Sequence, residues 1–508
     1  MFVVGYLSVY CNEVFCLILL NRKYSKHELL FHGKDACENF PMLPFVGTAW
    51  HYMPIIGQYR LDRQHIACRE KRRRYGDIIR EKIGSFDIVM CFTPEDLQEI
   101  VKNEGIYPYR VEFDSVKAYR GARKHWFSTA GLMAVHGEEW NTLRSQTQGH
   151  LLKPAAIVKY LEPLHIVVDD FVRRIYEIRD LNREVPNFSH ELYKWTLESV
   201  CLVGLDTRLG CLQSNLTKNS DALKIIHSVL NQFECMIKLE AFSGRIQFWK
   251  YFSTPTWRKF VKHSDDYSEI AFKYISDALN KLKSYKETED KPLTLIQAMM
   301  IDQKLDVKDI MVIVADFLQA GIETTAHSAG FLLYHLAKNP DKQERLYKEI
   351  TELLPIKDQK VTKDIYNKLK YFNACFKESL RLNPVVGGTA RTLAKDVVLS
   401  GYLVPAGTLA TVPYTELFTH ERYFKDPFKF EPERWLDREK KSHPFAFVPF
   451  GFGARSCIGK RLAELEITLL VVELIKNFKV EYHFEDIGMK TLLANVPDKP
   501  LRLNFIER

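Results

Sequence analysis

One long apolar helix constrains the fold of this chain more than any other feature. Residues 307–338 read as a single helix that Asn339-Pro340 would end. Asp306 can cap its start, and Asp309 lies three residues on, as in a capping box. Apolar residues occupy nearly every face over a length of about 48 Å, at 1.5 Å per residue. A helix that is apolar all round crosses the centre of a large hydrophobic core.

The middle of the same helix breaks this apolar pattern. Residues 319–325 (QAGIETT) bring together two small residues, an acid and two threonines. Ala320 and Gly321 would let a large flat group approach the backbone, and the Thr324 hydroxyl can donate to the carbonyl one turn back and distort the helix. Glu323 is costly to bury without a partner. This segment therefore indicates either a ligand site or a bend in a core helix.

Composition places the chain among ordinary globular proteins. Hydrophobic residues make up 46% and charged residues 27% of its 508 positions, which excludes a disordered, collagen-like or coiled-coil chain. The net charge of +8 permits a basic docking face or contact with a membrane surface but does not require nucleic acid as a partner. Helical patterns fill about 137–350, and β-type runs return near 395–413 and at the C-terminus. We therefore predict one mainly α-helical domain with a small β-rich part over 41–508.

Two segments near the N-terminus bear on contact with membranes. Residues 1–20 form a mainly apolar stretch whose middle Asn12 and Glu13 interrupt. Residues 1–40 could form a weak anchor, a degenerate targeting segment or an artefactual start, and they lack the Arg-rich and Ser-rich amphipathic character of an import presequence. Residues 58–75 read as a basic helix whose charged face meets either solvent or an anionic surface.

Cys457 is the one cysteine of ten in an informative setting. It lies in the segment 450–459 (FGFGARSCIG), whose three glycines allow tight or positive-φ turns and close approach to a flat ligand. We predict that Cys457 begins an amphipathic helix, whose dipole and free N–H groups favour the thiolate. Such a thiolate can ligate haem iron, and Arg455 can meet a haem propionate. A nucleophilic cysteine would instead need His and Asn or Asp partners, which the sequence alone does not place.

The segment 450–459 resembles the haem-binding signature of the cytochrome P450 family, F-x-x-G-x-R-x-C-x-G, at every fixed position. Other family motifs follow at Trp140–Arg144 (W-x-x-x-R), Ala320–Thr324, Glu378–Arg381 (E-x-x-R) and Pro432–Trp435 (PERW). The resemblance extends over about 41–508. It implies the family's triangular helical domain around a buried haem b, and a monooxygenase that consumes O₂.

The resemblance implies a set of contacts with the cofactor. Cys457 would supply the thiolate that binds the haem iron, with Phe450, Ala320 and Gly321 beside the haem. The predicted donors to the two propionates are Trp140, Arg144, Arg391 and Arg455, since arginine is suited to bidentate contact with carboxylates.

Two further groups of residues receive roles from the same resemblance. Glu323, in place of the more common Asp, and Thr324 would organise water and relay protons at the oxygen site. A buried ion group of Glu378, Arg381 and Arg434 would fix how the segment 420–445 cradles the cysteine loop.

The residues that follow Cys457 resemble the mitochondrial branch of the family. Members of that branch receive electrons from a small acidic, adrenodoxin-like ferredoxin, which an NADPH-dependent reductase reduces. Lys460, Arg461 and Lys377 are the predicted docking residues, while Asn373 stands where the family usually has a base. This branch implies a location on the matrix side of the mitochondrial inner membrane, with peripheral membrane contact.

Longer runs resemble insect ecdysteroid 22-hydroxylases within that branch, which implies a sterol substrate hydroxylated at C22 during ecdysone biosynthesis. The runs are 331–340 (FLLYHLAKNP), 377–384 (KESLRLNP), 400–405 (SGYLVP) and 488–497 (GMKTLLANVP), with 53–59 (MPIIGQY) and 137–144 (GEEWNTLR) in addition.

Two alternatives stay open. The first is a monooxygenase of xenobiotics or lipids in the endoplasmic reticulum membrane, which a flavoprotein reductase would supply with electrons. The apolar residues 1–20 favour it. The second is a non-catalytic haem sensor or carrier, which would need neither Glu323 nor Thr324.

Overall fold

A computed structural model describes residues 47–52, 57–83, 86–240, 247–283, 293–437 and 442–508. The segment 1–40, with its possible anchor or targeting role, lies outside these ranges. Within them, no helix combines the length and the apolar composition that crossing a membrane requires.

Helices make up most of the described structure, as the sequence predicts. In chain order they are α1 Gln64–Tyr75, α2 Pro94–Lys102, α3 Asp114–Gly121, α4 Gly137–Leu152, α5 Pro154–Val158, α6 Leu161–Ile178, α7 Phe188–Leu205, α8 Asp221–Glu240, α9 Pro255–Lys283, α10 Leu295–Asp302, α11 Val307–Lys338, α12 Pro340–Leu353, α13 Lys363–Lys368, α14 Lys370–Leu382, α15 Tyr414–Leu417 and α16 Lys460–Asn477.

The strands form small sheets beside the helices. They are β1 Ile78–Ile83, β2 Phe86–Cys91, β3 Glu184–Val185, β4 Gly388–Thr392, β5 Val397–Leu399, β6 Tyr402–Val404, β7 Leu409–Pro413, β8 Phe478–Glu481, β9 Met489–Thr491, β10 Asn495–Pro497 and β11 Leu503–Glu507. The largest described sheet has the order β1-β2-β7-β4, and only its β2–β7 pair is parallel, with Ile88 opposite Leu409. A second sheet has the order β3-β11-β8, and β5-β6 and β9-β10 form two-stranded pairs.

The long helix α11 runs through the core, as its all-round apolar character predicts. It packs against α7, α8, α9, α14 and α16, and most of its side chains are buried. Asp306 caps it by accepting from the Lys308 backbone N–H. Asp309 does not complete a capping box, because it instead accepts a 2.6 Å hydrogen bond from the Ser128 hydroxyl. The helix continues without interruption past Thr324 to Lys338.

The basic helix α1 is more than a charged surface. Lys71 is completely buried, donates to the Tyr52 hydroxyl at 2.6 Å and forms an ion pair with Glu81. Arg72 pairs with Asp77 at 2.9 Å. Lys71 and Arg72 are therefore used in ion pairs within the protein. Arg73 and Arg74 are the basic residues of the last turn that remain exposed.

Candidate active site

The cysteine loop is a tight turn that precedes α16. The backbone N–H of Cys457 donates to the Phe450 carbonyl at 2.8 Å, and Ser456 N–H donates to the Gly453 carbonyl at 3.1 Å. Gly453 has a φ of +71°, and a Cβ there would lie 2.8 Å from the Glu104 Oε1 atom, so this position requires glycine.

The start of the following helix differs from the prediction. Helix α16 begins at Lys460, and Gly459, with a φ of −85°, precedes it in a turn. Cys457 therefore lies three residues before the helix, because the loop closes on the Phe450 carbonyl before the helical hydrogen bonds begin. The prediction that Cys457 starts the helix is wrong, whereas Gly459 lies in a turn as predicted, with a negative φ.

The surroundings of Cys457 suit a metal ligand better than a free nucleophile. Burial raises the pKa of the thiol, and the Gly459 N–H and the charges of Arg144 and Arg110 oppose that shift only in part. The helix dipole therefore does not by itself produce the predicted thiolate, whereas a bound metal ion deprotonates a thiol outright. The Cys457 side chain is accessible even though protein atoms lie close enough around it to raise the pKa of its thiol, so it lies in a recess of the protein.

Four arginines gather close to Cys457, and three of them are among the predicted propionate donors. They are Arg110, Arg144, Arg391 and Arg455. Burial, and then the neighbouring guanidinium groups, lower the pKa of Arg455 to about 9. Burial and the charge of Arg391 lower the pKa of Arg110 to about 10. The part of this lowering that comes from the other guanidinium groups reflects their closeness to one another.

Among the described residues, Glu104 is the one carboxylate that pairs with any of the four arginines, at 2.6 Å from Arg391 Nε. With four guanidinium groups and one carboxylate, three positive charges have no carboxylate partner among the described residues. Arg144 makes no hydrogen bond or ion pair within the described residues, and its buried Nε atom has no acceptor. An anionic ligand with two carboxylates, such as haem, fits this excess of charge.

The other predicted propionate contacts are held in place by protein neighbours. Arg455 donates to the carbonyls of Pro108 and Val135 at 2.9 and 3.2 Å. Its guanidinium carbon lies 3.8 Å from the centroid of the Trp140 ring, a cation–π contact. Arg391 is buried on β4 rather than exposed, but Glu104 already engages it.

Arg110 is the site residue that sequence reasoning missed. It donates to the Arg455 carbonyl from a loop 345 residues earlier in the chain. Its segment carries no family motif, so the only available signal was an arginine in a turn-rich stretch near Pro108.

The centre of α11 contributes an accessible stripe to this interior. Ala320 is exposed and Thr324 half-buried, although most of their helix is buried. The Thr324 hydroxyl donates to the Ala320 carbonyl at 2.7 Å, which confirms the predicted bond one turn back. Gly321 serves another purpose than predicted, because a Cβ there would lie 2.5 Å from Val200 Cγ1 of α7. Its hydrogen side chain allows α7 and α11 to pack closely.

Glu323 does not stand beside the Thr324 hydroxyl as a relay pair would require. Its carboxylate is buried, with Oε1 3.6 Å from His327 Nε2, and that nitrogen lies 3.0 Å from the Tyr193 hydroxyl. The other oxygen, Oε2, has no hydrogen-bond partner among the described residues. Consecutive helix positions point about 100° apart, so the acid faces α7 while the alcohol faces the accessible stripe.

The predicted ion group of Glu378, Arg381 and Arg434 is present. Arg381 and Glu378 are completely buried and share two hydrogen bonds of 2.9 and 2.8 Å. Arg434 Nε lies 3.0 Å from Glu378 Oε1, and Trp435 Nε1 donates to Oε2 at 2.9 Å. Burial alone would raise the pKa of Glu378, but the hydrogen bonds and charge of Arg381 and the charge of Arg434 hold it below its ordinary value.

Arg381 also ties this group to the segment that precedes the cysteine loop. Its guanidinium donates to three backbone carbonyls, at 3.1, 2.6 and 3.1 Å, of Phe418, Pro427 and Lys429. One buried side chain therefore fixes a stretch of irregular backbone that lacks sheet or helix partners of its own.

The predicted docking residues are exposed and lie near Glu464 in the first turns of α16. Lys460 and Arg461 lie 3.9 and 3.5 Å from Glu464, with side chains 42% and 48% exposed. Lys377 is exposed too, and its Nζ lies 5.8 Å from the centroid of the Trp435 ring. Asn373, one turn before Lys377, donates to the Leu369 carbonyl at 2.6 Å and adds no charge.

The family model named Cytochrome P450 matches residues 43–505 of the chain. The chain is 34% identical to "Probable cytochrome P450 301a1, mitochondrial" of Drosophila melanogaster over 478 residues, which cover 91% of this chain and 85% of that relative. It is 35% identical to the rat "1,25-dihydroxyvitamin D(3) 24-hydroxylase, mitochondrial" over 467 residues, or 92% of this chain and 88% of that relative. It is also 32% identical to "Cytochrome P450 302a1, mitochondrial" of Drosophila melanogaster over 477 residues, or 92% and 94%.

The chain therefore belongs to the cytochrome P450 family. It is a monooxygenase of the mitochondrial type, and its cofactor is haem b. Three observations fit that cofactor. The Cys457 thiol is accessible, the four arginines have one carboxylate partner among the described residues, and Ala320 and Thr324 of α11 are accessible.

Proposed function

We propose that this protein hydroxylates a sterol precursor of ecdysone at C22 on the matrix side of the mitochondrial inner membrane, with electrons from an adrenodoxin-like ferredoxin and its NADPH reductase. One observation supports this route of electron transfer. Lys377, Lys460 and Arg461 are exposed near Glu464, just after the cysteine loop in α16, where they would attract an acidic partner. The runs that resemble insect ecdysteroid 22-hydroxylases support the substrate. A mitochondrial relative whose name specifies a vitamin D hydroxylase supports a compound of related type.

Within this proposal, Cys457 binds the haem iron as thiolate, and the bound haem supplies oxygen activation. Arg144, Arg455 and Arg110 hold the propionates, and Trp140 supports Arg455 through its ring. Arg391 balances Glu104 and adds to the positive field around the propionates. Ala320 leaves room for the cofactor and substrate beside α11.

Thr324 positions water in the same proposal. Its hydroxyl proton is committed to the Ala320 carbonyl, so toward the accessible stripe the oxygen can only accept. A water that donates to this oxygen is held with its second proton free for transfer. The Glu323 carboxylate lies on the other side of the helix, beside His327. It would contact this water after its side chain turned away from His327.

Thr324→Ala should therefore uncouple the reaction. Without the acceptor oxygen the water loses its orientation, so product per reducing equivalent should fall several-fold and hydrogen peroxide should rise. Substrate affinity should stay the same. The two yields are measured together during NADPH consumption, with Thr325→Ala, a buried neighbour on another face, as the control. Unchanged coupling in Thr324→Ala would remove Thr324 from proton delivery.

Charge reversal at the docking residues should weaken electron delivery. In Lys460→Glu with Arg461→Glu, like charges would face an acidic ferredoxin, and the apparent ferredoxin requirement should rise about tenfold or more. Turnover of the unchanged protein should also fall as salt rises, because exposed charges are screened beyond about 8–10 Å near physiological ionic strength. Steady-state turnover against ferredoxin concentration measures both effects.

The matched control is Arg73→Glu with Arg74→Glu, which reverses two adjacent exposed charges on α1. This variant has the same net charge as the double variant in α16 and should keep the ferredoxin requirement of the unchanged protein. If both double variants behaved alike, the face beside the cysteine loop would not be the docking surface.

Reconstitution tests the whole proposal. Purified protein is incubated with a 22-deoxy precursor of ecdysone and either the ferredoxin pair or a microsomal flavoprotein reductase. The proposal expects a hydroxylated product only with the ferredoxin pair. Product formation only with the flavoprotein reductase would identify a microsomal-type enzyme instead.

A further inference from the structure

Glu464 on α16 lies among the three predicted docking residues and carries the opposite charge. Its carboxylate oxygens lie 3.9 Å from Lys460 Nζ and 3.5 Å from Arg461 Nη1. Burial raises the pKa of Glu464. The charges of these two bases and of Lys377 oppose that rise, which favours the ionised form. The surface that would attract an acidic ferredoxin therefore contains an acid of its own.

Glu464 is less exposed than the bases around it. Its side chain is 22% exposed, whereas the side chains of Lys460 and Arg461 are 42% and 48% exposed. Tyr366 of α13 lies close to Glu464, because burial and then the charge of this acid raise the pKa of Tyr366 to about 12. A partner protein can therefore contact the two bases without displacing Glu464.

The two ion pairs of Glu464 are loose. At 3.5 and 3.9 Å they are longer than a charge-assisted hydrogen bond, which measures about 2.7–2.9 Å. No other carboxylate among the described residues pairs with Lys460 or Arg461. Carboxylates of a ferredoxin can bind these bases with little loss of internal pairing, since exposed pairs contribute little to stability.

Repulsion by Glu464 decides the sign of its effect on docking. A ferredoxin carboxylate in contact with Lys460 would lie within about 8 Å of Glu464, which is no more than a Debye length near physiological ionic strength. Like charges at that distance lower the affinity about threefold to tenfold. The ion pairs with Glu464 also hold the two bases in position, but this opposing effect is small because the pairs are exposed.

We propose that Glu464 limits the affinity of the docking surface for ferredoxin, so that ferredoxin is released between two electron transfers. This role rests on the proposed function, because it takes an acidic ferredoxin to be the electron donor. Hydroxylation places one atom of O₂ in the substrate and releases the other as water, which requires two electrons and two protons. A ferredoxin supplies one electron at each encounter, so each product requires two bindings and two releases. A weaker contact speeds release, since affinities of related complexes differ mostly in the dissociation rate.

The test is Glu464→Gln, which keeps the size of the side chain and removes its charge. Binding of oxidised adrenodoxin to the haem-loaded protein is measured by surface plasmon resonance over a series of salt concentrations. The dissociation constant should fall about threefold to tenfold, mainly through slower dissociation. Affinity should also decline more steeply with salt, because the surface has gained net positive charge. Glu464→Asp keeps the charge and should bind adrenodoxin nearly as the unchanged protein does.

Glu485→Gln is the matched control. Glu485 lies in the loop between β8 and β9 and also pairs with an exposed lysine, Lys499 at 2.7 Å. Its loss changes the net charge of the protein by the same amount and should leave the dissociation constant unchanged. Equal tightening in both glutamine variants, or unchanged or weaker binding in Glu464→Gln, would overturn the role of Glu464 and leave the ferredoxin route in place. Failure of the unchanged protein to bind adrenodoxin would contradict the ferredoxin route itself, and this role with it.

Discussion

Cys457→His is expected to abolish the red-shifted Soret band that reduced, thiolate-ligated haem shows with carbon monoxide. Hydroxylation should fall by more than about 100-fold, because even the hydrogen-bond partners of a metal ligand commonly matter 10–100-fold. The loop itself should persist, since it is held by the backbone bond from Cys457 N–H to the Phe450 carbonyl, which the substitution leaves in place.

The control for this variant is Cys201→Ala, which removes a buried thiol from α7. Burial raises the pKa of the Cys201 thiol to well above its usual range, as expected for an inert core cysteine. The control should keep the carbon monoxide band and most of the activity. A Cys457→His protein with an unchanged band would place the iron on another ligand.

Arg381→Lys should have the second-largest effect. Arg381 makes two bonds to Glu378 and three to backbone carbonyls of the following segment, and a single ammonium cannot reproduce that fork. Loss of a partner in a buried ion pair typically costs about 3–5 kcal/mol, so the free energy of unfolding should fall by about that amount. Haem content after purification should fall with it, because the segment leading to the cysteine loop would no longer be fixed.

Arg345→Lys is a matched control for this prediction. Arg345 also pairs with a glutamate, Glu433 at 2.8 Å, but its side chain is 52% exposed. Exposed pairs contribute about 0–1 kcal/mol, so haem content and stability should change little. Haem content is measured as absorbance per protein, and the free energy of unfolding by denaturant titration. Full haem content in Arg381→Lys would mean that the ion group does not support the cysteine loop.

Features that depend on local pattern could be predicted from the sequence. The course of α11 follows from its all-round apolar residues and from Asp306, which the structure shows capping it. The Glu378–Arg381 pair follows from their spacing of three on one helix, and the Thr324 bond follows from the chemistry of threonine in a helix.

Features that depend on distant partners could not be predicted in the same way. Glycine is needed at position 321 because Val200 lies close to it, and at position 453 because Glu104 lies close to it. Arg391 forms an ion pair with Glu104. The partners come from α7 and from the loop after α2, and no periodicity in one segment encodes such a contact. The buried direction of Glu323 likewise depends on Tyr193 of α7.

The start of α16 shows how local context can mislead. The run after Cys457 has a helical pattern, but the backbone bonds of the glycine-rich loop delay the helix to Lys460. Because the helix begins at Lys460 rather than at Cys457, its dipole stabilises the free thiolate less than the sequence predicts, and burial disfavours that thiolate.

The proposed reaction inserts one oxygen atom from O₂ into a sterol side chain with electrons from a ferredoxin. The most direct measurement is mass spectrometry and NMR of the product after incubation with 22-deoxyecdysone, ferredoxin, its reductase, NADPH and ¹⁸O₂. A single product with one ¹⁸O atom at C22 is expected, and no product when the ferredoxin is omitted. An oxygen at a ring carbon, or a label derived from water, would contradict it.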